Sequence, residues 1–338
     1  MAAEFSLEAK LALLTDPANF PDQPARVEVI ETHMAWVFLT EKYAYKLKKP
    51  VACSYLDFST VTSRKFFCQE EVRLNRRLAP DVYLKVITLN QDHGRLRLDG
   101  EGEVVDWLVL MRRLPRLRML DSLLRRRNLE RRHLYRLAEV IAAFHRNCQS
   151  QPVSGETYRS HYRHAVLLNG QWLQRLRWLC PGIEAQFLIE RQLNFIERRS
   201  HWFDSRAGEG LLVEGHGDLR PGHVCFESET PVVIDCLEFN RNLRILDQGD
   251  ETAYLAMECA WLGYEEAGLT FLRHYQGLLG DELPPPLRAF YMAYRATLRG
   301  RLLLARVLET APQKRFLWQR RGRRYLRLAA GYCGQLGV

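Results

Sequence analysis

The sequence predicts an α+β protein in which a small antiparallel sheet precedes a larger, mostly helical region. Two observations lead to this prediction. Short runs with strand-like alternation end by Met111, whereas nearly every apolar segment beyond Pro115 has helical spacing. One later stretch, residues 213–239, interrupts the helices with short runs of Val, Ile and Phe. We therefore expect two domains, residues 1–113 and residues 114–338.

Composition excludes several classes of protein. With 338 residues, 47% of them hydrophobic and 26% charged, the chain is typical of globular proteins and unlike disordered ones. The apolar runs are far shorter than the roughly 20 residues that span a bilayer, and the N-terminus lacks a secretory pattern. The eight cysteines form no CxxC pair, which favours reduced thiols. We expect a cytoplasmic protein without a membrane partner.

The net charge of +9 comes from two segments. Residues 112–136 contain ten arginines and two acids, and residues 295–327 contain eleven Lys and Arg residues and one acid. In both segments the cations alternate with Leu, Tyr or Trp at helical spacing, which favours the solvated faces of amphipathic helices. A helical protein that binds RNA is the alternative, although the segments resemble none of the RNA-binding modules.

The period of the apolar residues predicts each element of the first domain. A short helix at residues 7–14 ends before Asp16-Pro17, and a second helix at residues 61–78 is stopped by Pro80. Around the second helix the alternation of apolar and polar residues predicts six strands, at residues 27–31, 35–40, 44–47, 83–89, 95–98 and 104–111.

The second domain is predicted to be helical apart from one hairpin. In the interrupting stretch, apolar residues at 224–226 and 232–234 flank a turn at residues 228–231, which predicts two antiparallel strands. Elsewhere the spacing predicts helices, at residues 134–145, 162–179, 183–199, 253–264, 269–277 and, with interruptions, 287–331.

The hairpin region also contains the densest group of polar side chains. Asp218 precedes the hairpin and Asp235 follows its second strand. Because a tight turn returns the chain to its starting point, we expect both carboxylates in one site. Asp235 is placed to bind a divalent cation, and Asp218 to face an incoming hydroxyl. Phosphoryl transfer needs both, since a metal neutralises the phosphates while a carboxylate orients or deprotonates the acceptor.

These residues resemble a known family. His216-Gly-Asp218 followed by Ile234-Asp235 is similar to the catalytic loop and metal-binding strand of the aminoglycoside phosphotransferases and choline kinases. The resemblance implies a bilobal protein-kinase-like fold and an ATP-dependent phosphotransferase, a small-molecule kinase. In that reading Asp218 is catalytic, Asp235 binds metal, and His216 supports the catalytic loop.

Further segments match the family in order, from about residue 27 to residue 260. Lys46 is similar to the lysine that contacts the ATP phosphates, and Glu71 to its glutamate partner, with Glu70 as the competing residue. The segment 107–115 resembles the hinge strand that receives adenine, which implies that Met111 and Arg112 bind nucleotide.

Two later segments complete the resemblance. The helix at residues 138–145 resembles the one that supports the catalytic loop. Asp250 resembles the aspartate that supports the same loop from below.

One departure bears on the metal. His223 stands five residues after Asp218, where the family usually has a metal-binding Asn. Because hard cations prefer oxygen, histidine binds Mg²⁺ poorly. The site would depend on Asp235, with Glu238 helping through water, or take a softer ion such as Mn²⁺. The alternative function is a catalytically weak or inactive nucleotide-binding regulatory module.

The remaining hypotheses concern zinc and the substrates. A zinc site is disfavoured because its four candidate ligands lack a CxxC pair and are scattered over a loop and two strands, namely His216, His223, Cys225 and Cys236. We expect ATP or GTP as phosphoryl donor, with Mg²⁺ or Mn²⁺. The acceptor is expected to be a small molecule with a hydroxyl group. The excess of arginine in the helical domain favours a neutral or anionic acceptor over a polycationic aminoglycoside.

Overall fold

The computed structural model describes residues 5–53 and 56–338. The chain forms two compact units, which we describe separately. The first unit contains the chain up to Met119 together with His223–Ser228 and Val232–Leu243, and the second contains Leu120–Gly222, Glu229–Pro231 and Arg244–Val338. The predicted division into residues 1–113 and 114–338 placed the late hairpin in the second domain, whereas its strands lie in the first unit.

The first unit is built on a six-stranded antiparallel sheet with the strand order β1-β2-β3-β8-β6-β7. All six of its strands were predicted. The antiparallel pair of β4 and β5 was not, because two-residue strands have no detectable period. In chain order the elements are α1 (Leu7–Thr15), β1 (Glu28–Glu31), β2 (Ala35–Leu39), β3 (Tyr43–Lys48), β4 (Ala52–Cys53), β5 (Leu56–Asp57), α2 (Val61–Asn75), β6 (Tyr83–Asp92), β7 (Arg95–Leu98) and β8 (Glu103–Arg112).

The two faces of β3 have different surroundings. Successive side chains of a strand point to opposite faces. Tyr45 and Leu47 therefore pack in one apolar cluster, with Phe38 and Leu108, while Ala44 packs in another. The second cluster contains Cys68 and Val72 of α2. Lys46 and Lys48 have the parity of Ala44, so they lie on the face that α2 covers.

The second unit is mostly helical, as predicted, and the interruption expected within residues 287–331 falls between α10 and α11. The short helix at residues 120–125 lies in the basic segment whose spacing predicted amphipathic helices. The short helix at residues 200–208 and the antiparallel pair of strands at residues 212–214 and 245–247 were not predicted. Two of the later strands, β10 and β11, belong to the first unit. In chain order the remaining elements are α3 (Leu120–Arg125), α4 (Arg131–Asn147), α5 (Gly155–Arg175), α6 (Ala185–Arg198), α7 (Ser200–Gly208), β9 (Leu212–Glu214), β10 (Val224–Cys225), β11 (Val232–Val233), β12 (Ile245–Asp247), α8 (Gln248–Leu262), α9 (Glu265–Leu279), α10 (Pro285–Glu309) and α11 (Pro312–Cys333).

The predicted combination of a small antiparallel sheet and a larger set of helices is therefore confirmed. Within residues 5–53 and 56–338, no helix combines the length and the apolar character that crossing a bilayer requires.

Candidate active site

Lys46 of β3 lies in a group of charged side chains in the first unit. Its Nζ is 2.7 Å from Glu71 Oε1 on α2 and 2.8 Å from Asp235 Oδ1, just beyond β11. Glu71 is fully buried because it shares the inner face of α2 with Val72 and Asn75. Glu70 points elsewhere and pairs with Arg73. The structure thus places Glu71, and not Glu70, against Lys46.

Both members of this pair are charged at neutral pH. Burial by itself would lower the pKa of Lys46, but the carboxylates of Asp235 and Glu71 raise it well above its usual value. Burial would likewise raise the pKa of Glu71, but the ammonium groups of Lys46 and Lys48 lower it. Lys46 therefore keeps a positive charge that can bind a phosphate group.

Lys48 belongs to the same group of charges, which sequence analysis missed. Its side chain is 1% exposed, its Nζ lies 2.6 Å from Glu71 Oε2, and it also donates to Glu238. Glu71 therefore bridges two lysines. The signal was present in the sequence, since residues 46 and 48 must share one face of a strand. Glu238, predicted to help bind metal, is paired with Lys48.

Asp235 is fixed by its backbone while its carboxylate stays accessible. Its φ of 63° lies in the left-handed region, which residues other than glycine rarely adopt. The Asp235 N–H donates to the Tyr83 hydroxyl at 3.0 Å, and the next N–H, of Cys236, donates to Asn75 Oδ1 at 2.8 Å. The Asp235 side chain is 44% exposed. These contacts set the direction of a carboxylate that can still take a cation.

The imidazole of His223 also lies beside Asp235, with 3.4 Å between His223 Nε2 and Asp235 Oδ2. Among the residues that the structure describes, no three His, Cys, Asp or Glu side chains are grouped for metal binding. A cation here would rely on one carboxylate and one imidazole. This mixed set of oxygen and nitrogen donors suits Mn²⁺ better than Mg²⁺.

The two residues of the predicted hinge lie at the end of β8. Met111 is opposite Ala44 and Tyr83 in the sheet and packs in the cluster that also contains Ile234. Arg112 forms an ion pair with Glu227. Their role in binding nucleotide stays a prediction.

Asp218 lies in the second unit, in the loop that follows β9. The Tyr254 hydroxyl donates to its Oδ1 at 2.9 Å, and the Arg220 guanidinium lies 2.8 Å from its Oδ2. The side chain is 24% exposed. The Asp218 N–H donates to His216 Nδ1 at 3.2 Å, so the predicted supporting residue His216 contacts the backbone of the loop. Asp218 is thus oriented on both oxygens and still reachable.

The loop is held by Glu251, on the first turn of α8. Its carboxylate accepts the N–H groups of His216, at 2.9 Å, and Gly217, at 2.6 Å. An added Cβ at Gly215 would lie 2.6 Å from a Glu251 oxygen, which explains the glycine there. The predicted helix at residues 138–145 takes part, since His145 Nε2 lies 2.9 Å from Glu251 Oε2.

The prediction that Asp250 supports the loop is therefore corrected. Asp250 is bound to Arg295 at 2.8 and 2.5 Å and to the Tyr162 hydroxyl at 2.9 Å. Adjacent residues on a helix face different directions, so only one of the two acids can reach the loop. The resemblance pointed to Asp250, whereas the adjacent Glu251 contacts the loop.

Glu251 should make stability depend on pH. Burial by itself would raise its pKa, but the contact with His145 and the loop N–H groups lower it from 4.5 to about 2. A carboxyl group with a lowered pKa stabilises the fold above its unfolded pKa, and this stabilisation disappears as the pH falls through the folded value. We expect Glu251→Gln to lower the free energy of unfolding at neutral pH by up to about 3 kcal/mol.

Urea unfolding from neutral pH downwards measures this effect. The difference between wild type and Glu251→Gln should shrink between pH 4.5 and about 2. Glu266→Gln is the control, because that acid also lies on the first turn of a helix but pairs with Arg273 at the surface, where exposed pairs contribute roughly 0–1 kcal/mol. A difference that stays constant over this pH range would contradict the assignment.

Comparison with known proteins places this geometry in context. No protein-family model matches the chain. An uncharacterised protein of Mycobacterium tuberculosis is 33% identical in an alignment of 302 positions that covers 86% of this chain and 57% of that protein. An uncharacterised protein of Mycobacterium bovis matches to the same extent. The chain therefore spans just over half the length of these curated relatives.

Solved structures show the fold. A choline kinase from Cryptosporidium parvum Iowa II has a TM-score of 0.56 at 11% identity, covering 97% of this chain and 96% of that chain. A choline/ethanolamine kinase family protein from Mesorhizobium loti has a TM-score of 0.50 at 13% identity, with 95% and 99% covered. A thermostable mutant of an aminoglycoside phosphotransferase has a TM-score of 0.50 at 14% identity, with 91% and 96% covered. The chain therefore has the protein-kinase-like fold of the choline kinases and aminoglycoside phosphotransferases, which confirms the fold that the resemblance implied.

Proposed function

We propose that the chain is a small-molecule kinase that transfers the γ-phosphoryl group of ATP, or GTP, to a hydroxyl of a small molecule. The observation that carries the proposal is the position of Lys46 in the first unit, 2.7 Å from Glu71 and 2.8 Å from Asp235. A lysine that merely solubilises a strand would lie in water. This one is held by two carboxylates, one of which remains 44% exposed.

The residues of the first unit would bind the phosphoryl donor. Lys46 supplies a positive charge for the phosphates, and Glu71 fixes that charge. Asp235, with His223, would bind a divalent cation, which when present neutralises the phosphates. Met111 and Arg112 would contact the base.

Asp218 of the second unit would orient the acceptor hydroxyl and accept its proton. Its carboxylate is fixed by Tyr254 and Arg220, so little reorganisation accompanies the reaction. Arg220 contributes a positive charge directly at Asp218. Because Arg220 neutralises the Asp218 carboxylate, this carboxylate offers no free negative charge to a polycationic aminoglycoside, in agreement with the neutral or anionic acceptor that the charge distribution predicts.

ATP consumption with Mg²⁺ or Mn²⁺ across a panel of neutral, anionic and cationic hydroxyl compounds tests the proposal. Turnover that requires both an acceptor and Asp218 would support it. Tight nucleotide binding without acceptor-dependent turnover would instead favour the regulatory module.

His223 offers a separate prediction about the metal. Replacing this imidazole by the amide of Asn exchanges a nitrogen donor for an oxygen donor, and oxygen is the ligand that Mg²⁺ prefers. We expect His223→Asn to shift the preference severalfold from Mn²⁺ towards Mg²⁺. Electron paramagnetic resonance of free Mn²⁺, with Mg²⁺ as competitor, measures this metal preference and does not require turnover. A control is His274→Asn on α9, where His274 stacks on Tyr135. An unchanged preference in His223→Asn would remove His223 from the metal site.

A further inference from the structure

Lys48 is buried and charged, and the proposed function assigns it no role. Four contacts join it to the proposed donor site in a continuous series of ion pairs, running Asp235–Lys46–Glu71–Lys48–Glu238. Both ends of this series lie on the segment that follows β11, and its centre lies on α2. The two lysines, on one face of β3, therefore fasten that segment and the helix to the same strand.

We propose that Lys48 is a positioning residue for the donor site, an inference that rests on the proposed function. Lys48 does not need to touch nucleotide or metal. Its ammonium fixes the second oxygen of Glu71 and binds Glu238, three residues after Asp235. Lys48 thereby sets both the partner of Lys46 and the position of the metal-binding carboxylate.

The charges explain why one lysine would not suffice. The series contains three carboxylates and two ammonium groups. A cation bound to Asp235 would compete with Lys46 for the charge of that carboxylate. Glu71 is fully buried, and an uncompensated buried carboxylate is strongly destabilising. Lys48 keeps Glu71 charged and in place, so that Lys46 remains oriented while the metal is bound.

The surroundings of Lys48 suit a fixed position. Its Nζ also lies 4.9 Å from the centroid of the Phe58 ring, a side chain that is itself fully buried. Lys49 provides a contrast. It follows the last residue of β3 and lies over the ring of Trp36. Its ammonium pairs with Glu31, whose side chain is 64% exposed.

The test compares Lys48→Met, Lys48→Arg and Lys49→Met with wild type. Calorimetry measures the binding of ADP with Mn²⁺, electron paramagnetic resonance measures the binding of Mn²⁺, and thermal unfolding shows that each variant is folded. We expect Lys48→Met to bind both ligands about 10- to 100-fold more weakly, as substitutions behind metal ligands typically do. Lys48→Arg should restore most of the affinity, and Lys49→Met should match wild type.

Wild-type affinity in a folded Lys48→Met variant would overturn the inference, and so would an equal loss in Lys49→Met. Should Lys48→Met not fold, Glu238→Gln removes the other end of the same pair, and unchanged binding in that variant would also overturn it. Failure of the proposed function looks different, because wild type itself would then either bind no nucleotide or bind it without acceptor-dependent turnover.

Discussion

Replacing Asp218 by alanine is expected to lower acceptor-dependent turnover by about a thousandfold, with nucleotide binding nearly unchanged. General-base catalysis typically contributes roughly 10²- to 10⁴-fold, and both carboxylate oxygens of Asp218 are already oriented by neighbouring side chains. The residues proposed to bind nucleotide belong to the first unit, and Asp218 to the second. Steady-state turnover and calorimetry with ADP separate the two effects.

Two further variants complete this experiment. Asp218→Asn keeps an oxygen that can accept from Tyr254 but cannot take a proton, so it should be nearly as inactive as Asp218→Ala. Asp204→Ala removes a half-exposed acid of α7 that pairs with Arg159, and its turnover should equal that of wild type. Turnover in Asp218→Asn near the wild-type rate would exclude Asp218 as the base.

Replacing Lys46 by methionine should have the second-largest effect, chiefly on nucleotide binding. The change removes a charge-assisted contact to the phosphates, worth roughly 1.5–3 kcal/mol, or about 10- to 100-fold in affinity. It also leaves the buried Glu71 with Lys48 as its remaining lysine partner. Calorimetric titration with ATP in the presence of Mn²⁺ measures the loss.

Lys85→Met is the matched control for this loss. Lys85 lies on β6 with its side chain 58% exposed and pairs with Asp99, so its replacement should leave ATP affinity unchanged. Glu71→Gln should weaken binding in the same direction as Lys46→Met, because the amide no longer fixes the ammonium by charge. Equal ATP affinities for Lys46→Met and Lys85→Met would show that Lys46 does not contact the phosphates.

The pairing of Lys46 with Glu71 was expected from the family resemblance, and the local periods agree with it. Alternation in β3 decides which face Lys46 occupies, and the spacing of α2 decides that one of two adjacent glutamates is buried with it. The period alone could not choose between Glu70 and Glu71. The structure makes that choice through the residues that share the inner face of α2.

What the sequence could not supply depends on tertiary packing. The choice of Glu251 over Asp250 follows from the direction in which the first turn of α8 faces the loop after β9. The short strands β9 and β12, which precede that loop and that helix, are three residues each and have no recognisable period. Burial of Lys48 was missed because a run of three nearby lysines is usually a solvated surface.

A crystal structure with a non-hydrolysable ATP analogue and Mn²⁺ tests the central claim most directly, since the anomalous signal locates the cation. We predict phosphate oxygens in contact with Lys46 Nζ and a manganese ion coordinated by the Asp235 carboxylate. Phosphates bound away from Lys46, or a manganese ion that does not touch Asp235, would contradict the account.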